Sequence, residues 1–462
     1  MLDEGCPKGV PSIWSHSLWP HPFKMRYVPV ILILLCHAQP ASPQQIAEGT
    51  ASQIAWLQEH AIPLRTINPE DTNFVDLQPV ADVLEKVRVV LLGEQSHGDG
   101  ATFVAKHRFV RFLHQELGYH VLAFETNAEG LRTVDTGLHG DAPIATVAEP
   151  LYGIWGESEY VRPLLRYARE TKSTTSPLTL AGFDIQVQTM YVDVYSQALR
   201  ERMSFVAPDL MEATEYLRVD SIMSADGPVM RDTEGLSRED YATALQMVEA
   251  LREQLSVATS GQETVTSAQL ERLLDNMAWA LRFNDHLAHG STERATALRD
   301  EAMAENLVWL ANRAFPGEKI VGWAHSYHIA RSFSGIDVLD GSFSWQGVPM
   351  GAYVARELGD ELYSVAFLAY DGEWGQIFPD TSFVSTLPEA PEGSLDWLLA
   401  QLDEPYVFLD LRVAPEDHWL RKKMVARPAY GDMSGVWPDS YDGVIFIRTM
   451  FPNRRMRPLG LR

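Results

Sequence analysis

The turn Gly93-Glu94-Gln95-Ser96-His97-Gly98 sets a carboxylate and an imidazole three residues apart, and two further imidazoles stand far downstream in Gly322-Trp323-Ala324-His325-Ser326-Tyr327-His328. Between them, Glu125 closes an apolar run. Activating a water molecule as a nucleophile calls for a base that titrates near neutrality, and imidazole, at about 6.5, is the side chain whose unperturbed pKa suits the task. His97 is the candidate base. Glu94 or Glu125 would fix its tautomer and stabilise the imidazolium that forms as water loses its proton; His325 or His328 would donate to the developing oxyanion or carry a proton. Each of these residues also has an ordinary reading: His97 as a hydrogen-bonded strand-end residue, Glu94 as a turn cap, Glu125 as a buried ion-pair partner, and His325 and His328 as caps of a strand-to-helix turn.

Positioning these groups falls to a βαβ unit over residues 88–125. Short apolar runs at 88–92 and 120–124 flank a segment of helical period that sets Phe103, Val104, Phe109, Val110, Phe112 and Leu113 on its buried side, and Gly118 is placed to end it. In parallel sheets, ligands bind beyond the carboxyl ends of the strands, and Glu94, His97 and Glu125 converge on that edge. Further strands are expected at 178–183, ending at Asp184, at 319–324, ending at His325, and at 362–368, 406–411 and 443–447. Over 190–313 no strand is legible, but helical periods recur, one of them behind the capping pair Ser237 and Asp240. The expected architecture is therefore α/β, a mainly parallel central sheet flanked by helices, with a core from 51–189 and 314–450 and a helical insertion at 190–313. That insertion either forms a lobe over the strand ends that shapes a substrate pocket or is a purely structural subdomain.

Composition sets outer limits. With 462 residues, 46% of them hydrophobic, the chain can bury a large core, and a formal net charge of -24 removes the electrostatic basis for a general nucleic-acid role. Residues 1–24 lack periodicity and are expected to be an untranslated or disordered extension. From Met25, Arg26 and the apolar run 28–35 read as a signal peptide over 25–38, cleaved after Ala38 and too short to span a bilayer, which implies export to a periplasmic or secreted location. A lipoprotein anchored through Cys36 fits less well, because Leu34 and Leu35 are poor neighbours for that processing. Residues 39–50, rich in Pro, Gln, Ser and Ala, read as a linker. Only Cys6 and Cys36 occur, so the processed chain would lack disulfides, thiol chemistry and cysteine-bound zinc.

Several signatures are absent: a G-x-S-x-G elbow, H-E-x-x-H, a phosphate-binding G-x-x-x-x-G-K-[ST], and the third glycine that Gly98-Asp99-Gly100 would need for a dinucleotide fingerprint. What is present, Gly93-Glu94-x-x-His97-Gly98, the strand ending in Glu125 and Gly322-Trp-Ala-His325-x-x-His328, resembles the erythromycin esterase family, with weaker echoes in Gly182-Phe-Asp184 and Arg299-Asp-x-x-Met303. The resemblance covers nearly all of residues 80–450. It implies a metal-independent hydrolase, with no cofactor, that opens the lactone ester of a macrolide or a related ester. Lys106 stands where family members commonly carry an arginine, which keeps the charge without the planar fork. Lys106 and Asp184 are candidate substrate contacts, and Trp155, in Tyr-Gly-Ile-Trp-Gly, is a third with core packing as its alternative. Two other readings stay open: a site in which His97, His325 and His328 with Glu94 or Glu125 hold a divalent metal, and an exported binding protein without turnover. An exported antibiotic-inactivating enzyme would meet its substrate before the ribosome does, but a degradative or envelope role is served equally. The partner is in each case a small molecule, and the oligomeric state is left open.

Overall fold

Apolar runs become strands because they can be buried on both faces of a parallel sheet. The computed structural model describes residues 43–186, 193–224, 236–259, 264–339, 347–377 and 382–456. The segment 25–38 expected to direct export, and both cysteines, lie outside the described residues. Among the described residues, nine strands form the central sheet: Ile62–Pro63 (β1), Val89–Glu94 (β2), Tyr119–Asn127 (β3), Thr179–Asp184 (β4), Lys319–His325 (β5), Leu362–Ile377 (β6), Ser382–Leu387 (β7), Tyr406–Asp410 (β8) and Gly443–Met450 (β9). Their order is β1-β8-β9-β6-β2-β5-β3-β4, with β7 paired to β6. The pairs from β9 through β4 are all parallel, whereas β1, β7 and β8 pair antiparallel. The fold is α/β with a mainly parallel sheet flanked by helices, as the sequence implies.

Alternation along the strands divides the core. Val90, Leu92, Leu122, Phe124, Val321 and Trp323 pack on one face, and Val89, Leu91, Val121, Ala123 and Ile320 on the other. The crossover from β2 to β3 is the helix Gly100–Leu117, ended by Gly118 at φ 72°. Burial of that helix goes beyond its apolar stripe, since Lys106, His107, Arg108 and His114 are buried too. Charges placed there must be paired, and Arg108 is, by Asp76 at 2.7 Å.

The helices Val194–Val206, Thr214–Met223, Arg238–Ala258, Val265–Ala288 and Thr292–Trp309 occupy the described parts of 193–309. Ser237 and Asp240 form the expected capping box. The first four share a core of their own that includes Leu199, Val219, Leu251 and Leu274. Thr292–Trp309 instead packs Met303, Ala304 and Leu307 into the sheet's core, and this carries its Arg299 and Asp300 to the strand ends.

Three features differ from expectation. Glu125 lies within β3, which runs on to Asn127 through a register shift after Phe124, and such a bulge re-aims the side chains beside it. β6 runs past 368 to pair with β7, where polar residues mask the strand in the sequence. The first helix, Pro43–His60, begins inside the stretch read as a linker. Among the described residues, no helix is long and apolar enough to cross a membrane.

Candidate active site

Glu94 ends β2, and its fully buried carboxylate gathers three donors. Its Oε1 accepts from Nδ1 of His97 at 3.0 Å and from Nε1 of Trp155 at 3.3 Å, while Oε2 pairs with Nζ of Lys106. Lys106 also donates to the Ala324 carbonyl at 3.2 Å and lies 4.7 Å from the centre of the Trp323 ring. Burial lowers the Lys106 pKa, and the facing Glu94 carboxylate opposes that shift. The turn is held tightly: the Ser96 amide donates to Asp99 at 2.8 Å, and a Cβ on Gly93 would come within 2.7 Å of Ser326 and Ile329. Because Nδ1 of His97 donates to Glu94, Nε2 keeps its lone pair, on a side chain that is 25% exposed. A base in contact with solvent, oriented by a buried carboxylate, is what activation of water requires.

Glu125 builds the second half. Its Oε1 accepts from Nη2 of Arg299 at 2.6 Å and lies 3.3 Å from Nε2 of His328, and its Oε2 accepts from the His325 amide at 2.8 Å. Arg299 reaches Asp184 as well, at 2.7 Å from Nη2, and Tyr152 donates to Asp184 at 3.3 Å. His328 Nδ1 donates to Asp300 at 2.8 Å. Burial alone would suppress the charges on Glu125 and His328, but each outweighs it through its partners. His328 and Arg299 hold the Glu125 carboxyl well below the usual range, and Asp300 and Glu125 raise His328 to about 10.

His325 joins the halves. Its Nε2 donates to the Gln95 carbonyl at 3.0 Å, its Nδ1 accepts from the Tyr327 amide at 3.0 Å, and its ring centre is 5.4 Å from that of His97. Burial, with His97 beside it, pushes its pKa down to about 3. In this arrangement both ring nitrogens are engaged by backbone groups, and the lowered pKa favours the neutral ring. Of the pair, His328 is the member whose pKa is raised, by Asp300 and Glu125, and Arg299 Nη1 lies 3.0 Å from its Nε2.

The structure brings Glu94, His97, Glu125, His325 and His328 to one edge. It corrects the three expected substrate contacts, since Lys106, Trp155 and Asp184 are all fully buried. Their polar atoms hold Glu94 and Arg299 instead, so they stand behind the site. Among the described residues, no group of three or more His, Asp or Glu side chains is arranged to hold a metal ion. A cleft of about 180 Å³ lined by Glu129, Arg132, Arg202, Arg272 and Asn276 does not include His97. Its arginines are engaged by Glu129, Glu201 and Glu305, and the Glu94–His97 pair lies apart from it at the β2 edge.

The erythromycin esterase family model matches residues 114–450. The chain belongs to the erythromycin esterase family. It is 24% identical over 449 residues to YbfO of Bacillus subtilis (strain 168), a protein named as a candidate hydrolase, covering 92% of this chain and 97% of that one. To the erythromycin esterase type II of Escherichia coli it is 23% identical over 385 residues, 78% of this chain and 89% of that one. An EreC erythromycin esterase variant in its open conformation superposes at TM-score 0.65 with 17% identity, covering 86% of this chain and 98% of that one; at that identity the likeness is one of fold.

For this member of the erythromycin esterase family, sequence reasoning assigned no role to Arg299, Asp300 or Tyr152. The Arg299-Asp300 pair was visible as a dipeptide, but it sits on a helix of the insertion, and only packing of that helix on the sheet brings it to Glu125.

A consequence for stability follows from the histidines. His107, in the β2–β3 crossover helix, is buried with both ring nitrogens unpartnered, and burial, helped by Arg111 and Arg166, pushes its pKa from 6.5 to about 3. Below pH 6.5 the unfolded chain therefore binds a proton that the native state refuses, and stability falls as the pH drops from about 6.5 toward 3. At about pH 5 the expected cost is about 2 kcal/mol for His107, with less from the partly exposed His325. His328, raised above its unfolded value, contributes fully throughout this window and does not offset the loss. Urea unfolding at about pH 7.5 and pH 5 checks this, with His107→Leu expected to keep more of its stability at the lower pH.

Proposed function

We propose that this chain hydrolyses a carboxylic ester, the lactone of a macrolide being the substrate class put forward, with His97 as the base. The observation that carries the reading is the Glu94–His97 pair, in which Nδ1 is committed to a buried carboxylate and the ring remains in reach of solvent. Nε2 takes a proton from water as its oxygen attacks the ester carbonyl. The imidazolium so formed is stabilised by Glu94, whose other oxygen pairs with Lys106. The negative charge moves onto the former carbonyl oxygen, and Arg299, whose side chain keeps some exposure beside Glu125, is the nearby cation for it. Collapse of the tetrahedral adduct breaks the C–O bond, and His97 returns the proton to the leaving alkoxide. The products are one acid and one alcohol, joined in a single opened chain when the ester is a lactone.

The test incubates purified protein with erythromycin and a panel of other esters and lactones and follows each by mass spectrometry. Gain of one water is the expected result, and no gain across the panel rejects the esterase reading. Export through the segment 25–38 is proposed alongside it, and recovery of the protein with its N-terminus at Gln39 from the periplasm or medium is the expected result of fractionation and terminal sequencing.

A further inference from the structure

Residues 451–456 lie beyond the span matched by the family model, yet they cross the back of the His97 turn. This strap hydrogen-bonds alternately to two segments. The Ala101 amide donates to the Phe451 carbonyl at 3.2 Å and the Asn453 amide to the Gly98 carbonyl at 2.6 Å; on the other side, the Glu159 amide donates to Arg454 and the Met456 amide to Glu157, both at 2.8 Å. A Cβ on Gly100 would meet the Pro452 carbonyl at 2.6 Å, so the approach depends on a glycine there.

Asn453 is the tie between the two segments. It is 7% exposed. Besides its amide bond to Gly98, its Oδ1 accepts from the Ser158 hydroxyl at 2.6 Å and its Nδ2 donates to the Ile154 carbonyl at 3.2 Å. The amide orientation is set by its partners: Ser158 Oγ already accepts from the Tyr160 and Val161 amides and has its proton left to give, while a carbonyl can only accept. Gly98 directly follows His97, and Ile154 directly precedes Trp155. His97 and Trp155 both bond Glu94 Oε1, and their rings meet edge to face at 5.5 Å.

We infer that Asn453 is a positioning residue for the base: by joining the residue after His97 to the residue before Trp155, it holds both donors on Glu94 and fixes where Nε2 points. The inference rests on the esterase reading for its kinetic consequence and on the geometry alone for its structural one. Misplacement of a reacting group by about 1 Å costs on the order of a hundredfold, so Asn453→Ala is expected to lower kcat by about ten- to a hundredfold, with KM little changed.

The experiment compares the full protein with Asn453→Ala, the near-isosteric Asn453→Asp and the neighbouring Arg454→Ala. Each is measured for kcat and KM on any ester the wild type turns over, for thermal midpoint, and for amide exchange of residues 94–101 and 153–159 by mass spectrometry. Support is a fall in kcat in Asn453→Ala at unchanged KM in a protein still fully folded at the assay temperature, with faster exchange in both segments, and wild-type behaviour of Arg454→Ala. Asn453→Asp keeps the side-chain volume but sets a buried oxygen against the Ile154 carbonyl, so faster exchange in the same two segments and a lower midpoint are expected of it. Wild-type kcat in Asn453→Ala, or a loss that tracks the thermal midpoint, overturns the inference. If the wild type turns over nothing, the esterase reading fails by itself, and exchange alone decides: faster in both segments upholds the tie, unchanged overturns it.

Discussion

Replacing His97 with alanine is expected to lower kcat/KM by about a thousandfold, within the range of about a hundred- to ten-thousandfold that a positioned general base contributes, while the thermal midpoint stays close to that of the wild type. The residue is the exposed end of its network: its side chain is 25% exposed and, among the described residues, it bonds inward to Glu94. Its loss leaves Glu94 with Lys106 and Trp155 as partners, so the buried carboxylate stays paired. Glu94→Gln makes the contrasting case. The amide cannot stabilise an imidazolium, and it leaves the ammonium of Lys106 buried without its counter-charge, a situation that costs about 3–5 kcal/mol. The two variants should thus part company: both lose turnover, and only Glu94→Gln unfolds markedly earlier in urea. Full activity in His97→Ala would remove the base from the mechanism, and equal stability in the two variants would mean that the Lys106–Glu94 pair is not the buried couple described.

What could be read in the sequence was local. Seven of the nine sheet strands announced themselves as apolar runs, and the Gly93-to-Gly98 turn drew Glu94 and His97 together within one element. Glu125 and His325 were legible for a related reason, since each sits where a buried run turns polar and parallel strands deliver such positions to a common edge. The direction of a side chain was not legible. Lys106 was expected to touch substrate because it stands where the family carries an arginine, and Trp155 as a pocket wall with core packing as its alternative, yet both back Glu94 from the buried side. Helical phase sets Lys106 with Phe103 and Val110 on the buried stripe, but it does not say that a carboxylate from another strand waits there for the ammonium. Arg299 was out of reach for another reason. It is 174 residues from Glu125 along the chain, and the helix that carries it belongs in sequence to the insertion and in packing to the sheet.

That arginine carries the second large effect. Arg299→Met is expected to destabilise the protein by about 3–5 kcal/mol, the cost of breaking a buried ion pair from one side, and to abolish most turnover. Two carboxylates bond the guanidinium, Glu125 and Asp184, and its Nη1 lies 3.0 Å from Nε2 of His328, which Asp300 holds at Nδ1. Without Arg299 two negative charges lose their bonds to it at once, and among the described residues Asp184 keeps the Tyr152 hydroxyl and the amides of Ile185 and Gln186. Arg299→Lys restores the charge but cannot bridge Glu125 and Asp184 with a planar fork, so it should recover part of the stability and less of the activity. The pH dependence fixes the cause. In the wild type the Glu125 pKa is held well below 4.5, so this carboxylate contributes stability that is fully present above pH 4.5 and is lost as the pH falls through its folded value. In Arg299→Met that contribution is reduced, and protonation relieves the unpaired charge. The stability gap between the two proteins should therefore be widest near neutral pH and narrow as the solution is acidified below about 4.5, measured by urea unfolding across that range. A gap that stayed constant with pH would assign the loss to packing of the side chain, and the Arg299–Glu125–Asp184 couple would then not be an electrostatic unit.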